Sequence, residues 1–281
     1  MASLHERLLE ARHAFERARI PAEEAAIDAE VLARHVLGWD RAALIVRGRE
    51  PAPDGFNDAF DSLVQRRLQR EPVAMIVGRR EFWGLEFEVT RDVLVPRPDT
   101  EFVVEAAIEL AGTRAVRIVD IGTGSGCIAV SLAVALPAAT LVAADISPAA
   151  LAVARRNAER HGVRDRMTFV QSDLLEGVTG TADLIVSNPP YIASADVRSL
   201  PPEVVKYEPH VALFGGEDGL VTIRRLFAAA SAHLAPGGHL VIEFGYAQES
   251  DVAALATATG WHVVEVRRDL AQIPRVIALR R

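Results

Sequence analysis

The first quarter of the chain carries its apolar residues at helical spacing. Leu4, Leu8, Leu9, Ala11 and Phe15 recur on one face, as do Ala25, Ala29, Leu32 and Val36. Pro21 opens the second of these helices and Gly38 closes it. A turn at Pro51-Ala52-Pro53-Asp54-Gly55 leads into a helix predicted over 56–69. Residues 1–75 therefore read as a small helical bundle. From 76 to 98 the pattern changes. Phe82, Leu85, Phe87 and Val89 predict extended chain with a turn at Gly84, and Arg91-Asp92 turns it into Val93-Leu94-Val95. We read this stretch as a β-hairpin linker, stiffened at its end by Pro96-Arg97-Pro98.

From residue 99 to 281 short apolar runs alternate with helical patterns. The predicted strands are 116–121, 140–145, 167–171, 182–187, 239–244, 262–266 and 275–279. The predicted helices are 101–111, 127–136, 148–161, 220–234 and 247–259. Such alternation implies an α/β domain with a mainly parallel sheet covered on both faces. No helical pattern separates the last two strands, so they are expected to pair antiparallel at one edge.

The size, 281 residues, allows one sizeable α/β core and a smaller domain. The formal charge, 31 − 38 = −7, argues against strong non-specific binding to nucleic acid, which needs a basic footprint. Lys206 is the only lysine, which reads as compositional bias. Cys127 is the only cysteine, so no internal disulfide can form, and a reducing cytosol suits the chain. The start, Met1-Ala2-Ser3-Leu4-His5-Glu6-Arg7, lacks the apolar core of a signal peptide. No apolar run approaches the ~20 residues of a membrane span. The eight histidines show no paired ligand spacing, and no metal site is expected.

Two loops carry the chemistry. The first, Gly122-Thr123-Gly124-Ser125-Gly126, follows the apolar run ending at Ile121 and precedes a helix. Its glycines allow a tight strand-to-helix turn and close approach of a ligand to the backbone. The helix N-terminus adds free N–H donors and partial positive charge. A dinucleotide loop wants a third glycine where Cys127 stands, so the alternating glycines favour S-adenosylmethionine over a nicotinamide dinucleotide. Asp145 ends the next strand, where a carboxylate can accept from both ribose hydroxyls, and Ser147 is better suited than Asp145 to cap the following helix. Asp173 ends the third strand. It either accepts from an adenine amino group or caps a helix, while Leu174 offers a backbone N–H and an apolar contact. Asp120 either faces a methionine ammonium or is a buried structural aspartate. Cys127 reads as a small core residue.

The second loop is Asn188-Pro189-Pro190-Tyr191, directly after the strand ending Leu184-Ile185-Val186-Ser187. Two prolines cannot continue a ladder and hold the loop stiff. An amide side chain, free backbone carbonyls and an aromatic ring on a rigid shelf suit the grip of a planar –NH2 group. Gly122, Asp145, Asp173 and Asn188 all fall at carboxyl ends of successive strands, where open α/β sheets bind ligands. The methyl donor and the shelf are therefore expected to share one crevice. An amide nitrogen is a poor nucleophile, and the Asn188 side-chain oxygen and Pro189 carbonyl are expected to accept from both of its N–H groups. That steers the lone pair toward the methyl, and alignment alone is worth up to ~7–11 kcal/mol. Tyr191 is expected to pack on the planar group. Arg97 and Glu101 either line the crevice or stiffen the start of a helix.

These motifs resemble the HemK/PrmC family of protein-(glutamine-N5) methyltransferases. The hairpin start Arg80-Glu81-Phe82-Trp83-Gly84-Leu85 is similar, as is the junction Val95-Pro96-Arg97-Pro98-Asp99-Thr100-Glu101. The two loops are similar as well. So are Tyr207-Glu208-Pro209, Gly215-Gly216-Glu217-Asp218-Gly219-Leu220 and Arg267-Arg268-Asp269-Leu270 with Arg275-Val276. The resemblance implies a class I S-adenosylmethionine-dependent methyltransferase: a Rossmann-like, mainly parallel seven-stranded sheet with an antiparallel edge hairpin, plus the N-terminal bundle. It implies S-adenosylmethionine as donor, held by Gly122, Thr123, Gly124, Ser125, Gly126, Asp145, Asp173, Leu174 and Asn188. It also implies Asn188, Pro189, Pro190 and Tyr191 around the glutamine of a Gly-Gly-Gln motif on a peptide-chain release factor, with the helical domain helping to dock that protein. Members often carry an aromatic residue where Leu174 stands. Rival readings are glutamine methylation of a ribosomal protein and DNA adenine-N6 methylation. The latter needs base flipping and a basic channel, which the acidic charge disfavours.

Overall fold

The computed structural model describes residues 2–281. In chain order the helices are α1 (Leu4–Arg17), α2 (Ala22–Leu37), α3 (Arg41–Arg47), α4 (Phe56–Leu68), α5 (Val73–Val77), α6 (Glu101–Ala111), α7 (Cys127–Ala135), α8 (Pro148–Arg160), α9 (Pro202–Tyr207), α10 (Val221–His233) and α11 (Glu249–Ala258). The strands are β1 (Arg79–Phe82), β2 (Leu85–Glu88), β3 (Arg117–Ile121), β4 (Thr140–Asp145), β5 (Met167–Gln171), β6 (Ala182–Ser187), β7 (Leu234–Glu243), β8 (His262–Arg268) and β9 (Pro274–Arg280). The contacts divide the chain into two compact units. One runs to Gly78 and takes in α9; the other comprises Arg79–Pro201 and Glu208–Arg281. The hairpin expected as a linker thus stands inside the second unit.

In the first unit α1 starts on a capping box. Ser3 Oγ accepts from the Glu6 N–H at 3.3 Å, and Glu6 Oε2 accepts from the Ser3 N–H at 2.8 Å. Gly38 (φ 66°) ends α2 in the left-handed conformation its position predicts. Phe15, Leu32, Phe56 and Phe60 fill the core, with the last two rings stacked at 5.0 Å. Arg67 is buried on α4 among carboxylates: Asp28 at 2.7 Å, Glu24 at 2.6 Å and Glu203 at 3.5 Å. Glu203 also takes Arg70 at 2.6 Å, and the Tyr207 hydroxyl donates to the Gln69 carbonyl at 3.0 Å. These bonds explain why α9 belongs to this unit although it lies between β6 and α10 in sequence.

The second unit holds the β1–β2 hairpin and a seven-stranded sheet of order β5-β4-β3-β6-β7-β9-β8. The first five strands of that order run parallel; β9 pairs antiparallel with β7, and β8 with β9. Alternate residues feed two cores. Ile118, Leu184 and Val241 meet α6, α7 and α8, while Val119, Ile185 and Leu240 meet α10 and α11. Helix α7 is buried from Ile128 to Ala133 without a polar face, as a helix packed on all sides requires. Asn157 of α8 ties the hairpin to the glycine loop. Its Oδ1 accepts from the Glu88 N–H at 2.7 Å, and its Nδ2 donates to the carbonyls of Glu88 at 3.1 Å and Ser125 at 2.8 Å.

One difference from the sequence reading matters, and one stretch carries no predicted element. Val93-Leu94-Val95 is not a strand: Val93 and Val95 are buried in irregular chain. Pro96 and Pro98 lack the donors a ladder needs. The stretch 192–219 folds into short 3₁₀ turns at Ser194–Ser199 and His210–Ala212, together with α9. Among the described residues no helix is long and apolar enough to cross a membrane.

Candidate functional site

Strands β4 and β6 flank β3 on opposite sides, so the chain direction of winding reverses there. At such a point the strand ends leave a crevice. Here it has a volume of about 280 Å³. Gly122 and Gly124 line it from β3, Asp145 from β4, Asp173 and Leu174 from β5, and Asn188, Pro189 and Pro190 from β6. Val93, Leu94, Val211 and Phe214 form apolar walls, with Asp92 and Arg225 at the rim.

The glycine loop is built for that opening. Gly122 (φ 70°) and Gly124 (φ 55°) both take left-handed backbone, and a side chain on Gly122 would meet open space. The N–H groups of Gly122 and Thr123 both donate to the Ala144 carbonyl, at 2.8 and 3.0 Å. The remaining loop residues face away from the crevice. Thr123 is buried and donates through Oγ1 to Asp120 Oδ2 at 2.7 Å. Ser125 is buried, and Gly126 packs against Ala154 at the start of α7.

Asp145 Oδ2 accepts from the Gly124 N–H and Oδ1 from the Ser147 N–H, both at 2.9 Å. Burial raises its carboxyl above the ordinary range, against the opposing pull of the backbone donors at Ser147 and Gly124. Ser147, not Asp145, caps α8, accepting from the Ala150 N–H at 3.2 Å. Asp173 pairs with Arg225 at 2.9 Å and caps no helix, and Leu174 has φ 49°. Asp120 is wholly buried, and burial pushes its carboxyl up to about 7. Its Oδ1 has no hydrogen-bond partner. Burial pushes the Cys127 thiol up to about 12, which removes it as a nucleophile.

The proline loop is anchored at both ends. Ser187 Oγ donates to the Ile121 carbonyl at 2.7 Å, and Asn188 Nδ2 donates to Thr100 Oγ1 at 2.9 Å. Pro189 and Pro190 wall the crevice. Tyr191 turns the other way: its hydroxyl donates to Glu243 Oε1 at 3.1 Å, and its carbonyl accepts from Gln248 Nε2 at 3.1 Å. Burial and the Glu243 charge raise its phenol. The segment 213–219 backs the loop, with Ile192 N–H to Leu213 carbonyl at 3.0 Å and Gly215 N–H to Ile192 carbonyl at 2.9 Å. Arg97 and Glu101 do not line the crevice. Arg97 grips both oxygens of buried Glu208 at 2.7 and 2.8 Å, and Glu101 accepts from the Trp83 N–H at 2.8 Å.

Sequence reasoning passed over Thr100 and Glu243. Glu243 is buried at the end of β7 and accepts from Thr100 Oγ1 at 2.6 Å. The available signal was a carboxylate inside the apolar run Leu240-Val241-Ile242-Glu243-Phe244, where a charge needs a reason.

Comparison with known proteins agrees with this architecture. A family model described as PrmC N-terminal domain matches residues 6–78, and one described as Methyltransferase small domain matches 100–206. The chain is 46% identical over 259 residues to the release factor glutamine methyltransferase of Cereibacter sphaeroides, covering 92% of each. It is 41% identical over 284 residues to that of Nitratidesulfovibrio vulgaris, covering 100% of this chain and 96% of the relative. A methyltransferase structure from Pyrococcus furiosus shares the fold, with TM-score 0.52 and 20% identity over 76% of this chain and 95% of that one.

Proposed function

This chain belongs to the release factor glutamine methyltransferases, and from that premise we propose that it methylates the side-chain nitrogen of a glutamine on a peptide-chain release factor, with S-adenosylmethionine as donor. The observation that carries the reading is the sharing of one crevice by Gly122, Gly124 and Asp145 on one side and Asn188, Pro189 and Pro190 on the other. The residues fit the donor: left-handed glycines open the floor, and each Asp145 oxygen keeps a lone pair for a hydroxyl after accepting its backbone N–H. Asp173 and Leu174 line the same crevice, and the adenine end is assigned to them in this proposal. When bound, S-adenosylmethionine supplies a methyl group activated by a sulfonium charge.

The protein's share is positioning and electrostatics. Asn188 Nδ2 is committed to Thr100, so its Oδ1 is the atom left for a substrate N–H. The Pro189 carbonyl is proposed as the second acceptor. Together they hold the amide with its lone pair aimed along the line of attack. As the nitrogen–carbon bond forms, the carbon–sulfur bond breaks, and the nitrogen releases one proton to solvent. Oxygen acceptors stabilise the positive charge that builds on nitrogen. The apolar walls of Val93, Leu94 and Phe214 lower the polarity around those interactions and strengthen them, while the open side of the crevice leaves the proton a route to solvent. Tyr191 braces the loop through Glu243 rather than stacking on the substrate. A cytoplasmic location, the Gly-Gly-Gln glutamine as target, and a docking role for the helical unit belong to the same proposal.

The test is incubation of the enzyme, labelled donor and purified release factor, with the adduct mapped by mass spectrometry. A single methyl on the Gly-Gly-Gln glutamine is expected. Label confined to a ribosomal protein or to DNA adenine overturns the substrate assignment.

A further inference from the structure

Behind the crevice runs a chain of three hydrogen bonds. Asn188 Nδ2 donates to Thr100 Oγ1 at 2.9 Å, Thr100 Oγ1 donates to Glu243 Oε2 at 2.6 Å, and the Tyr191 hydroxyl donates to Glu243 Oε1 at 3.1 Å. Thr100 and Glu243 are both about 2% exposed, so water does not compete for these atoms. Neither residue lines the crevice. Resting on the glutamine-methylation reading, we propose that Glu243 and Thr100 are positioning residues, which fix the Asn188 carboxamide with its oxygen toward the substrate by a one-way hydrogen-bond relay.

The direction follows from donor arithmetic. An ionised carboxylate only accepts, so Glu243 takes the hydroxyl hydrogens of both Thr100 and Tyr191. Thr100 Oγ1 has then spent its one hydrogen and can only accept. The sole partner it can offer Asn188 is an acceptor, so the –NH2 end of the carboxamide faces Thr100 and the oxygen faces away. With Glu243 protonated the rule relaxes. The carboxyl O–H can donate a hydrogen bond to Thr100 Oγ1, the threonine hydroxyl is then free to donate elsewhere, and Asn188 can turn its oxygen inward. The crevice then meets a substrate –NH2 with a second –NH2, two donors face to face.

Glu243 sits where its ionisation is finely set. Burial pushes its carboxyl up to about 7, opposed by the hydrogen bonds from Thr100 and Tyr191. The nearby Asp99 charge raises it further and Arg275 on β9 lowers it; Arg275 itself pairs with Asp99 at 3.1 Å and Asp269 at 2.9 Å. The Cys127 thiol on α7, which feels the Glu243 charge, stays protonated, and Arg97 acts on Tyr191 of the same network. The relay thus ties the orientation of Asn188 to the charge on Glu243, and turnover falls on the acid side as that charge is lost.

The experiment compares wild type with Thr100→Val, Thr100→Ser and Glu243→Gln. Steady-state kinetics on release factor are read from pH 5.5 to 9, with S-adenosylhomocysteine binding by calorimetry and the Asn188 side-chain –NH2 signals by NMR. Expected is a fall in kcat of ~10-fold for Thr100→Val, with KM and S-adenosylhomocysteine affinity within ~2-fold. Thr100→Ser recovers most of the loss, Glu243→Gln loses the acid limb of the profile, and the Asn188 signals shift in Thr100→Val alone of the two threonine variants. Wild-type kcat in Thr100→Val, or Asn188 signals that stay put, overturns the relay. A wild-type enzyme that labels no release-factor glutamine overturns the substrate reading instead. The NMR signals, which need no substrate, still decide the relay in that case, and calorimetry separates a misfolded variant from a folded, slow one.

Discussion

The carboxylate of Asp145 on β4 holds the Gly124 N–H of the neighbouring loop at 2.9 Å, and with its other oxygen holds Ser147. One side chain therefore sets the shape of the glycine turn and lines the crevice beside it. Asp145→Ala removes both functions. A charge-assisted hydrogen bond is worth about 1.5–3 kcal/mol, so S-adenosylmethionine affinity should fall by ~10- to 100-fold in calorimetry. Unchanged affinity would exclude Asp145 from the donor site.

Asn188 carries a different load. It borders the donor side of the crevice, yet its proposed work is to hold the substrate nitrogen. Asn188→Ala should cut kcat by ~10²-fold or more while leaving donor affinity within a few-fold. Parallel loss of both would make the residue chiefly structural, and single-turnover kinetics with titrated donor separates the two outcomes.

Glu243 sets function against stability. Its folded value, about 7, lies above the ordinary 4.5 that an unfolded chain keeps. A carboxyl raised by folding contributes its full share of stability below about 4.5, and that share is lost as pH rises through about 7. Glu243→Gln escapes the loss. Its stability relative to wild type should grow from pH 5 to pH 8 by up to about 3 kcal/mol, read by denaturant titration at each pH. A pH-independent difference would mean that Glu243 does not titrate in this window. Asp120, also raised to about 7 by burial, adds a slope of the same sign to both proteins and cancels in the comparison.

In the helical unit the buried Arg67 is surrounded by Asp28, Glu24 and Glu203. Arg67→Met leaves the buried Asp28 carboxylate without its counter-charge, while Glu203 keeps Arg70, at a cost of about 3–5 kcal/mol. Adding Asp28→Leu should return part of that loss, because an apolar pair needs no desolvation. Trp39 is the only tryptophan of this unit, so its fluorescence in a Trp83→Phe, Trp261→Phe background follows the unit alone. A double variant no more stable than Arg67→Met would count against the ion pair as the cause.

Periodicity and punctuation carried most of the second unit. Strands over 140–145, 167–171 and 182–187 lie within β4, β5 and β6 to the residue, since each apolar run is bounded by a loop-forming group. The antiparallel edge followed from the missing helix between β8 and β9. Less legible were α3, α5 and α9, each of seven residues or fewer. Too few turns are present for an apolar period to register. α9 was further hidden because its partners, Arg67 and Arg70, are more than 130 residues away. In the site, the strand-end acids and the proline loop announced themselves by position. Tyr191 did not, because a ring's direction is set by a distant carboxylate that local sequence leaves unpaired. Thr123 and Ser125 look like ligand-facing loop residues, and only the fold turns their hydroxyls inward.

The second glycine cluster gives the last prediction. The Gly215-Gly216-Glu217-Asp218-Gly219 segment lies directly behind the proline loop. A Cβ on Gly215 would stand 2.6 Å from the Pro190 carbonyl oxygen, and one on Gly219 (φ 76°) would fall inside van der Waals contact of the Tyr191 carbonyl oxygen. For Gly215 the obstacles are backbone, the Pro190 carbonyl and the Gly219 carbonyl at 2.5 Å, so relief displaces the proline loop together with the segment behind it. A shift of about 1 Å at a positioning group can cost ~10²-fold in rate. Gly215→Ala should therefore lower kcat by at least ~10-fold, while S-adenosylhomocysteine affinity, which depends on the opposite wall, changes far less. Gly162→Ala is the control. That glycine (φ 67°) closes α8 with open space around it, so alanine there strains the backbone without touching the loop. It should cost stability and spare kcat. Equal kinetic loss in both variants would show that the effect of Gly215→Ala is general destabilisation rather than displacement of the Asn188 shelf.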